Sequence, residues 1–311
     1  MIYAPVIVPT LCRYEHFKRL IESLTQNPDA RHTDLYIALD FPSKESHWDG
    51  YNKIVNYLPT ITGFNDVIIY KREHNYGERE NVKEVREFVS QKYGYWIFTE
   101  DDNVCSPNFL SFINQGLEKY KDDPKVFAIE GYRHYYNVKF KNNNFYRQGV
   151  DFSAWGYGIW ADKYDKMTDE MTRKYLRKKM INPIIFWRIS KNGLIKLRLM
   201  MKNALSSKPM IYPDWMISLY LIITKRHVIM PKVSKVRNEG WDNSGINCKT
   251  IGKEDIAALH DIQELDAKNQ FTYCGTGYEY FEQNRKIYVR ECYERITFIG
   301  LCQKALKKLK S

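Results

Sequence analysis

The 311-residue chain is predicted to be an α/β protein: a mostly parallel sheet flanked by helices, with a basic helical insertion and a C-terminal helical extension. Three observations predict this. Short apolar runs alternate with helical periodicity through the first 130 residues, the pattern of a parallel sheet covered on both faces. Acidic residues end two of those apolar runs, where sheets of this kind bind their ligands. Residues 171–213 hold eleven Lys and Arg and no Asp or Glu, so the formal charge of +11 sits in one segment and the remainder balances at 37 cations against 37 anions.

In order along the chain, 5–9 (PVIVP) reads as a strand, and Phe17, Leu20, Ile21 and Leu24 then fall on one helix face. Residues 35–39 form a second strand ending at Asp40, 48–58 a helix, and 67–70 a third strand. Val82, Val85 and Val89 mark the next helix. Residues 95–99 (YWIFT) form a fourth strand running into Glu100, Asp101 and Asp102. Ser106-Pro107 has the form of an N-cap followed by proline at the first helical position. Phe109, Leu110, Ile113, Leu117 and Tyr120 supply that helix's buried stripe, and 126–129 is a fifth strand. The basic segment reads as two short helices broken near Asn182-Pro183 and Asn192-Gly193. A further apolar helix, 215–223, follows Asp214, and HVIMP (227–231) is a strand in which His227 is structural.

With 44% apolar and 27% charged residues the composition is globular. The six cysteines include no CxxC pair, which fits reduced thiols in a cytoplasmic protein. No signal peptide is expected from the opening MIYAP, and no apolar run of about 18 residues predicts a spanning helix. The confined charge argues against a protein that coats nucleic acid, although 24 tyrosines and seven tryptophans keep a nucleic-acid-binding protein as an alternative. A sugar nucleotidyltransferase is a second alternative, but PTLCRYEHF after the first strand lacks the glycine-rich phosphate loop expected of one.

The cluster Glu100-Asp101-Asp102 is the most informative feature. On an extended chain Glu100 and Asp102 share one side and Asp101 takes the other. Hard cations such as Mg²⁺ and Mn²⁺ prefer oxygen ligands and often take only one or two from protein. A solvated acidic turn would carry the same residues. The segment YWIFTEDDNVCSPNFLSFINQGLEKYKDDPKVFAIEGY (95–132) resembles the metal-binding region of GT-A glycosyltransferases, most of all the N-acetylglucosaminyltransferase I-like and family 2-like group, with EDD a variant of the DxD motif. VIVPTLCRYEHFKRLIESL (6–24) and IALDFP (37–42) resemble that fold's first strand–helix unit and second strand. IYPDWMISLYLIITKRHVIMPKVSKVRNEGWDNSG (211–245) resembles its acceptor-side helix, following strand and closing loop.

The resemblance implies a Rossmann-like GT-A domain with a donor-binding half (1–130), an acceptor-binding half (131–245, including 171–213) and a C-terminal helical extension (246–311). It implies an inverting, metal-dependent enzyme moving a sugar from a UDP-sugar, UDP-GlcNAc being favoured, to a hydroxyl of a glycan or lipid-linked acceptor in bacterial cell-surface polysaccharide synthesis. Asp102 would hold Mn²⁺ or Mg²⁺. Glu100 and Asp101 would contact the sugar and ribose, Asp40 the uracil ring, and Arg13 the base or phosphates. Asp214 would be the catalytic base, a role in tension with its equally natural reading as an N-cap. Trp155 reads as a flat aromatic platform or as part of a core strand–turn. Trp241 and Asp242 fall in a loop (239–245) that closes over donor or merely connects. His74-Asn75-Tyr76-Gly77 reads as a turn near the donor. The basic segment and the tail from Arg295, with five cations and no acid, suggest peripheral contact with an anionic membrane at its cytoplasmic face, against the alternative of a solvated surface.

Overall fold

The computed structural model describes residues 2–134, 142–190, 192, 194–205, 214–242 and 264–279. The amino-terminal part follows the predicted alternation: β1 (Val6–Thr10), α1 (Tyr14–Thr25), β2 (Asp34–Leu39), α2 (Trp48–Tyr57), β3 (Asp66–Lys71), α3 (Gly77–Tyr93) and β4 (Tyr95–Phe98). β4, β1, β2 and β3 lie side by side and parallel. β1 and β2 are apolar almost throughout because helices cover both faces. Ile7 and Tyr36 face one core, with Trp96 and Val85; their neighbours Val6, Val8, Leu35 and Ile37 face the other, with Phe17, Leu20 and Ile54.

A short strand, β5 (Asn103–Cys105), follows the acidic cluster and leads to α4 (Phe109–Lys119) and β6 (Val126–Glu130). The N-cap of α4 is Asn108, two residues beyond the expected Ser106. Ser106 instead turns its hydroxyl to Asn108 Oδ1 at 2.9 Å, and its carbonyl accepts from Phe109 N at 3.0 Å, which tightens the approach to the helix.

The carboxyl-terminal half departs from simple alternation. β7 (Phe145–Gln148) and β8 (Tyr157–Trp160) precede α5 (Ala161–Glu170). β8 inserts antiparallel between β4 and β6, so the fourth and fifth parallel strands are not neighbours. α4 crosses closely here: a Cβ on Gly158 would stand 2.3 Å from Ile113 Cγ2, which accounts for the glycine in a buried strand.

The basic segment folds as three helices rather than the two expected, α6 (Arg173–Met180), α7 (Pro183–Ser190) and α8 (Leu194–Leu205), because both expected break points end a helix. Thr172 caps α6, and Asn182 Oδ1 accepts from Ile184 N and Ile185 N at 3.1 Å to open α7 on Pro183. α9 (Asp214–Thr224) is buried from Met216 to Ile223 and leads into β9 (His227–Pro231) and β10 (Val236–Asn238).

The nine-stranded sheet ends in β11 (Tyr278–Glu279) and has the order β11-β7-β9-β6-β8-β4-β1-β2-β3, while β10 pairs antiparallel with β5. Within the expected C-terminal helical extension, 264–279 is extended chain rather than helix. Phe271 and Tyr273 pack on Phe112 with ring centroids 4.8 and 5.3 Å away. The rest of that extension, including the tail from Arg295, lies outside the described residues, as do Asn243-Ser244-Gly245.

Candidate active site

The site is built where β2, β4 and β6 end. The chain leaves β4 after Phe98 and turns at Asp101-Asp102, so the extended alternation expected of the three acids does not hold. Asp101 and Asp102 are instead gripped by the same side chain. Arg13, at the N-cap position of α1, donates through Nη2 to Asp101 Oδ1 and through Nη1 to Asp102 Oδ2 at 2.7 Å. Thr10 Oγ1 donates to Asp101 Oδ2 at 3.0 Å. Burial raises the Asp101 carboxyl above its ordinary range, and Arg13 opposes that shift. Both acids are buried.

Asp102 is also held from the far side. Asn238 Nδ2, at the end of β10, donates to Oδ1 at 2.6 Å, and Glu239 N donates to the Asp102 carbonyl at 2.8 Å. A Cβ on Gly240 would lie 2.1 Å from Asp102 Oδ2, so only glycine lets the following chain pass this close. Trp241 and Asp242 continue that segment. Asp242 Oδ2 lies 3.2 Å from His16 Nε2, beside Glu239, which pairs with Arg19 at 2.9 Å and Arg237 at 2.7 Å. Trp241 stands edge-on to Trp155, centroids 6.4 Å apart, and Trp155 in turn meets Tyr132 at 4.9 Å. The two predicted aromatic positions are thus brought together as one half-buried wall.

Glu100 is half-buried and accepts no side-chain hydrogen bond among the described residues. Burial, and then the negative fields of Asp102, Asp214, Glu78 and Asp101, push its carboxyl far above the usual range. Asp214 opens α9 and accepts from Ala154 N at 3.0 Å; burial pushes its pKa to about 6 despite that hydrogen bond. Asp214 is thus the first residue of α9 rather than a residue before it, and burial raises its carboxyl above the ordinary range.

Sequence reasoning missed Glu130, at the end of β6. It is 0% exposed, and its Oε1 accepts from Ser153 N at 2.6 Å and faces His134 Nε2 at 3.2 Å. Its Oε2 has no hydrogen-bond partner, and burial raises its pKa to about 7. The signal was present: VFAIE ends in an acid just as IALD and WIFTEDD do. Asn238 was missed too, and no local pattern marks it.

Asp40 is placed differently from the role the resemblance implies. Its Oδ1 accepts from Phe41 N and Tyr76 N, both at 2.8 Å. Its Oδ2 accepts from Gly77 N at 2.8 Å and Asn75 Nδ2 at 3.2 Å. A carboxylate offers about four lone-pair positions, and all are filled by the chain itself, leaving none for a uracil N–H. Asp40 ties β2 to the start of α3, which explains why the His74-Asn75-Tyr76-Gly77 turn lies beside the site.

Asp102, by contrast, receives two hydrogen bonds and keeps acceptor capacity. Glu100 feels the negative fields of Asp101, Asp102 and Asp214, while Arg13 pairs only with Asp101 and Asp102. This surplus of hard oxygen donors, with one carboxylate unpartnered, fits a divalent cation. No group of three or more His, Cys, Asp or Glu side chains among the described residues is poised to chelate a metal by itself.

The fold and site define an α/β protein with an acidic centre beyond the carboxyl ends of its sheet strands. No protein-family model matches the chain, and no curated protein does. Among solved structures it is similar to mannosyltransferase PcManGT from Pyrobaculum calidifontis in complex with GDP-Man and Mn²⁺, at 9% identity and a TM-score of 0.39 over 71% of this chain and 69% of that one. It is also similar to residues 1–349 of S. aureus TarS (14% identity, TM-score 0.37, 54% of this chain and 50% of that one). A further TarS structure aligns at 12% identity and TM-score 0.37, over 66% of this chain and 41% of that one. Likenesses of this depth do not place the chain in a family.

Proposed function

We propose that the chain is an inverting glycosyltransferase that moves a sugar from a nucleoside diphosphate donor to an acceptor hydroxyl. One observation carries this reading: Asp214, its pKa raised to about 6, faces the same acidic centre as Asp102, with Glu100 under the field of both. Transfer with inversion needs a proton acceptor on the acceptor side and charge neutralisation on the diphosphate side. Asp214 takes the proton from the incoming hydroxyl, and a pKa near 6 leaves it ionised at neutral pH while more basic than an ordinary aspartate. A Mn²⁺ or Mg²⁺ ion held by Asp102, with Asp101 adjoining, would supply Lewis-acid stabilisation of the departing diphosphate. Arg13 keeps Asp101 and Asp102 aligned. Glu100 lies where the transferred sugar's hydroxyls would find an acceptor. Trp155 and Trp241 offer an apolar wall against a sugar ring.

A UDP-sugar, UDP-GlcNAc first, is the donor the motif resemblance favours, and a glycan or lipid-linked sugar is the acceptor class. Isothermal titration with UDP, with GDP as comparator, tests the reading in the presence and absence of Mn²⁺. Binding that requires the ion and disappears in Asp102→Asn is the expected result. Metal-independent binding, or none to either nucleotide, would overturn it.

A further inference from the structure

We propose that the joint between α6 and α7 is an anchor that lies in an anionic lipid surface. The structure divides the basic segment into two populations. Arg177 donates to the Ala204 carbonyl at 2.7 Å, Arg188 to the final carbonyls of α9 at 3.2–3.3 Å, and Lys196 is buried against Asp151. These cations hold the helices together. Lys174, Lys178, Arg198 and Lys202 are exposed, on α6 and α8, and α6, α7 and α8 pack pairwise into one unit.

The apolar residues divide as well. On α7, Ile185 and Ile189 fill the core, while Ile184 and Trp187 are 66% and 63% exposed and Ile181, at the joint, is 79% exposed. These three side chains stand outward from the core. Large exposed apolar side chains on one short stretch, in a segment whose only charged residues are cations, mark an interaction surface.

Charge selects the occupant. No acid occurs anywhere in 171–213, so the face is complementary to a surface of uniform negative charge. A second copy of the same face would bring like charges together, and the tail from Arg295 is equally devoid of acid. Protein interfaces are depleted in lysine, whereas lysine beside tryptophan and isoleucine is the composition of an interfacial helix. Among the described residues no helix is long and apolar enough to cross a membrane, so the segment lies on the surface. α7 and α8 also pack on α9, which begins at Asp214. If the proposed transfer is correct, the anchor holds the acceptor side of the site against the bilayer, but the anchor itself does not depend on that activity.

The test is co-sedimentation of the full chain with phosphatidylglycerol-containing vesicles and with pure phosphatidylcholine vesicles. Wild type should prefer the anionic vesicles by about ten-fold, and high salt should erase the preference. I184S/W187S should lower binding to anionic vesicles by a similar factor with an unchanged melting temperature. K178E/K202E should remove the anionic preference. Equal partition into both vesicle types would overturn the proposal, as would wild-type binding by I184S/W187S. A wild-type dimer that I184S/W187S converts to monomer would overturn it in favour of a self-interface.

Discussion

Two groups of carboxylates line the acidic centre beyond the sheet, and the chain treats them in opposite ways. Asp101 and Asp102 are bound to a guanidinium, a hydroxyl and an amide. Glu130 is buried and Asp214 half-buried, neither bonded to a described lysine or arginine; a backbone N–H and His134 serve the first, a backbone N–H the second. The same functional group is therefore tied to a cation in one place, the charge-holding group, and left as a proton-exchanging centre whose pKa burial raises in the other. Arginine alone does not make the difference: burial raises Asp101 too, and Arg13 only opposes it. What separates the two groups is whether a compensating charge shares the cavity.

The sharpest way to break this comparison is to neutralise one member of each group. Asp214→Asn should lower sugar transfer by about 10³-fold while nucleotide binding persists. Asp102→Asn should lose ion-dependent nucleotide binding itself. Calorimetry beside a transfer assay separates the two. If both variants lose binding equally, Asp214 belongs with the charge-holding group and has no basic role.

The next effect is on stability. Arg13→Ala leaves two buried carboxylates without their cation and should cost about 3 kcal/mol in urea unfolding. Mn²⁺ should restore part of that loss, because the ion supplies the missing positive charge to the same oxygens.

The proton-exchanging group has a pH signature. Transfer should rise with pH through about 6 as Asp214 ionises, then level off. Stability should run the other way. Between the ordinary glutamate value of 4.5 and about 7, the folded chain keeps the Glu130 proton that the unfolded chain releases, so stability falls as pH rises through that window. Glu130→Gln should flatten the fall by on the order of 2 kcal/mol, read from unfolding curves at pH 5 and pH 8.

The two groups were not equally legible in the sequence. The parallel half reads well because β1 and β2 are buried on both faces and β4 carries a short apolar run, so their ends are visible and Asp40, Glu100, Asp101 and Asp102 stand out. Glu130 ends such a run too, with the same signal that makes Asp40 stand out. β5, β7 and β8 are three or four residues long, and their pairing is fixed by distant partners: Asn103 by Asn238, Phe145 by Pro231, Tyr157 by Phe98. No local periodicity records that. Asp40 shows the reverse limit, since its position was legible while its partners, supplied by Tyr76 and Gly77, were not. The basic segment was legible as charge, but only the fold divides its cations into those that bind carbonyls and those that face outward.

Glu100 belongs to neither group, and its substitution gives the smallest effect and the finest resolution. It follows β4 directly, precedes the charge-holding pair, and feels Asp214 as well as Asp102. No described side chain bonds to it, so its ionised form is a net repulsion at neutral pH. Glu100→Gln should therefore stabilise the chain by about 1 kcal/mol above pH 7, a gain that disappears below the ordinary glutamate range, where the wild-type group is protonated in both states. Added Mn²⁺ should shrink the gain, since an ion beside Asp102 turns the same charge from a liability into a neutralised neighbour. Sugar transfer should fall in the same variant if Glu100 accepts from the donor's hydroxyls. A stability gain without loss of transfer would assign Glu100 to the electrostatics of the site alone and leave sugar recognition to other residues.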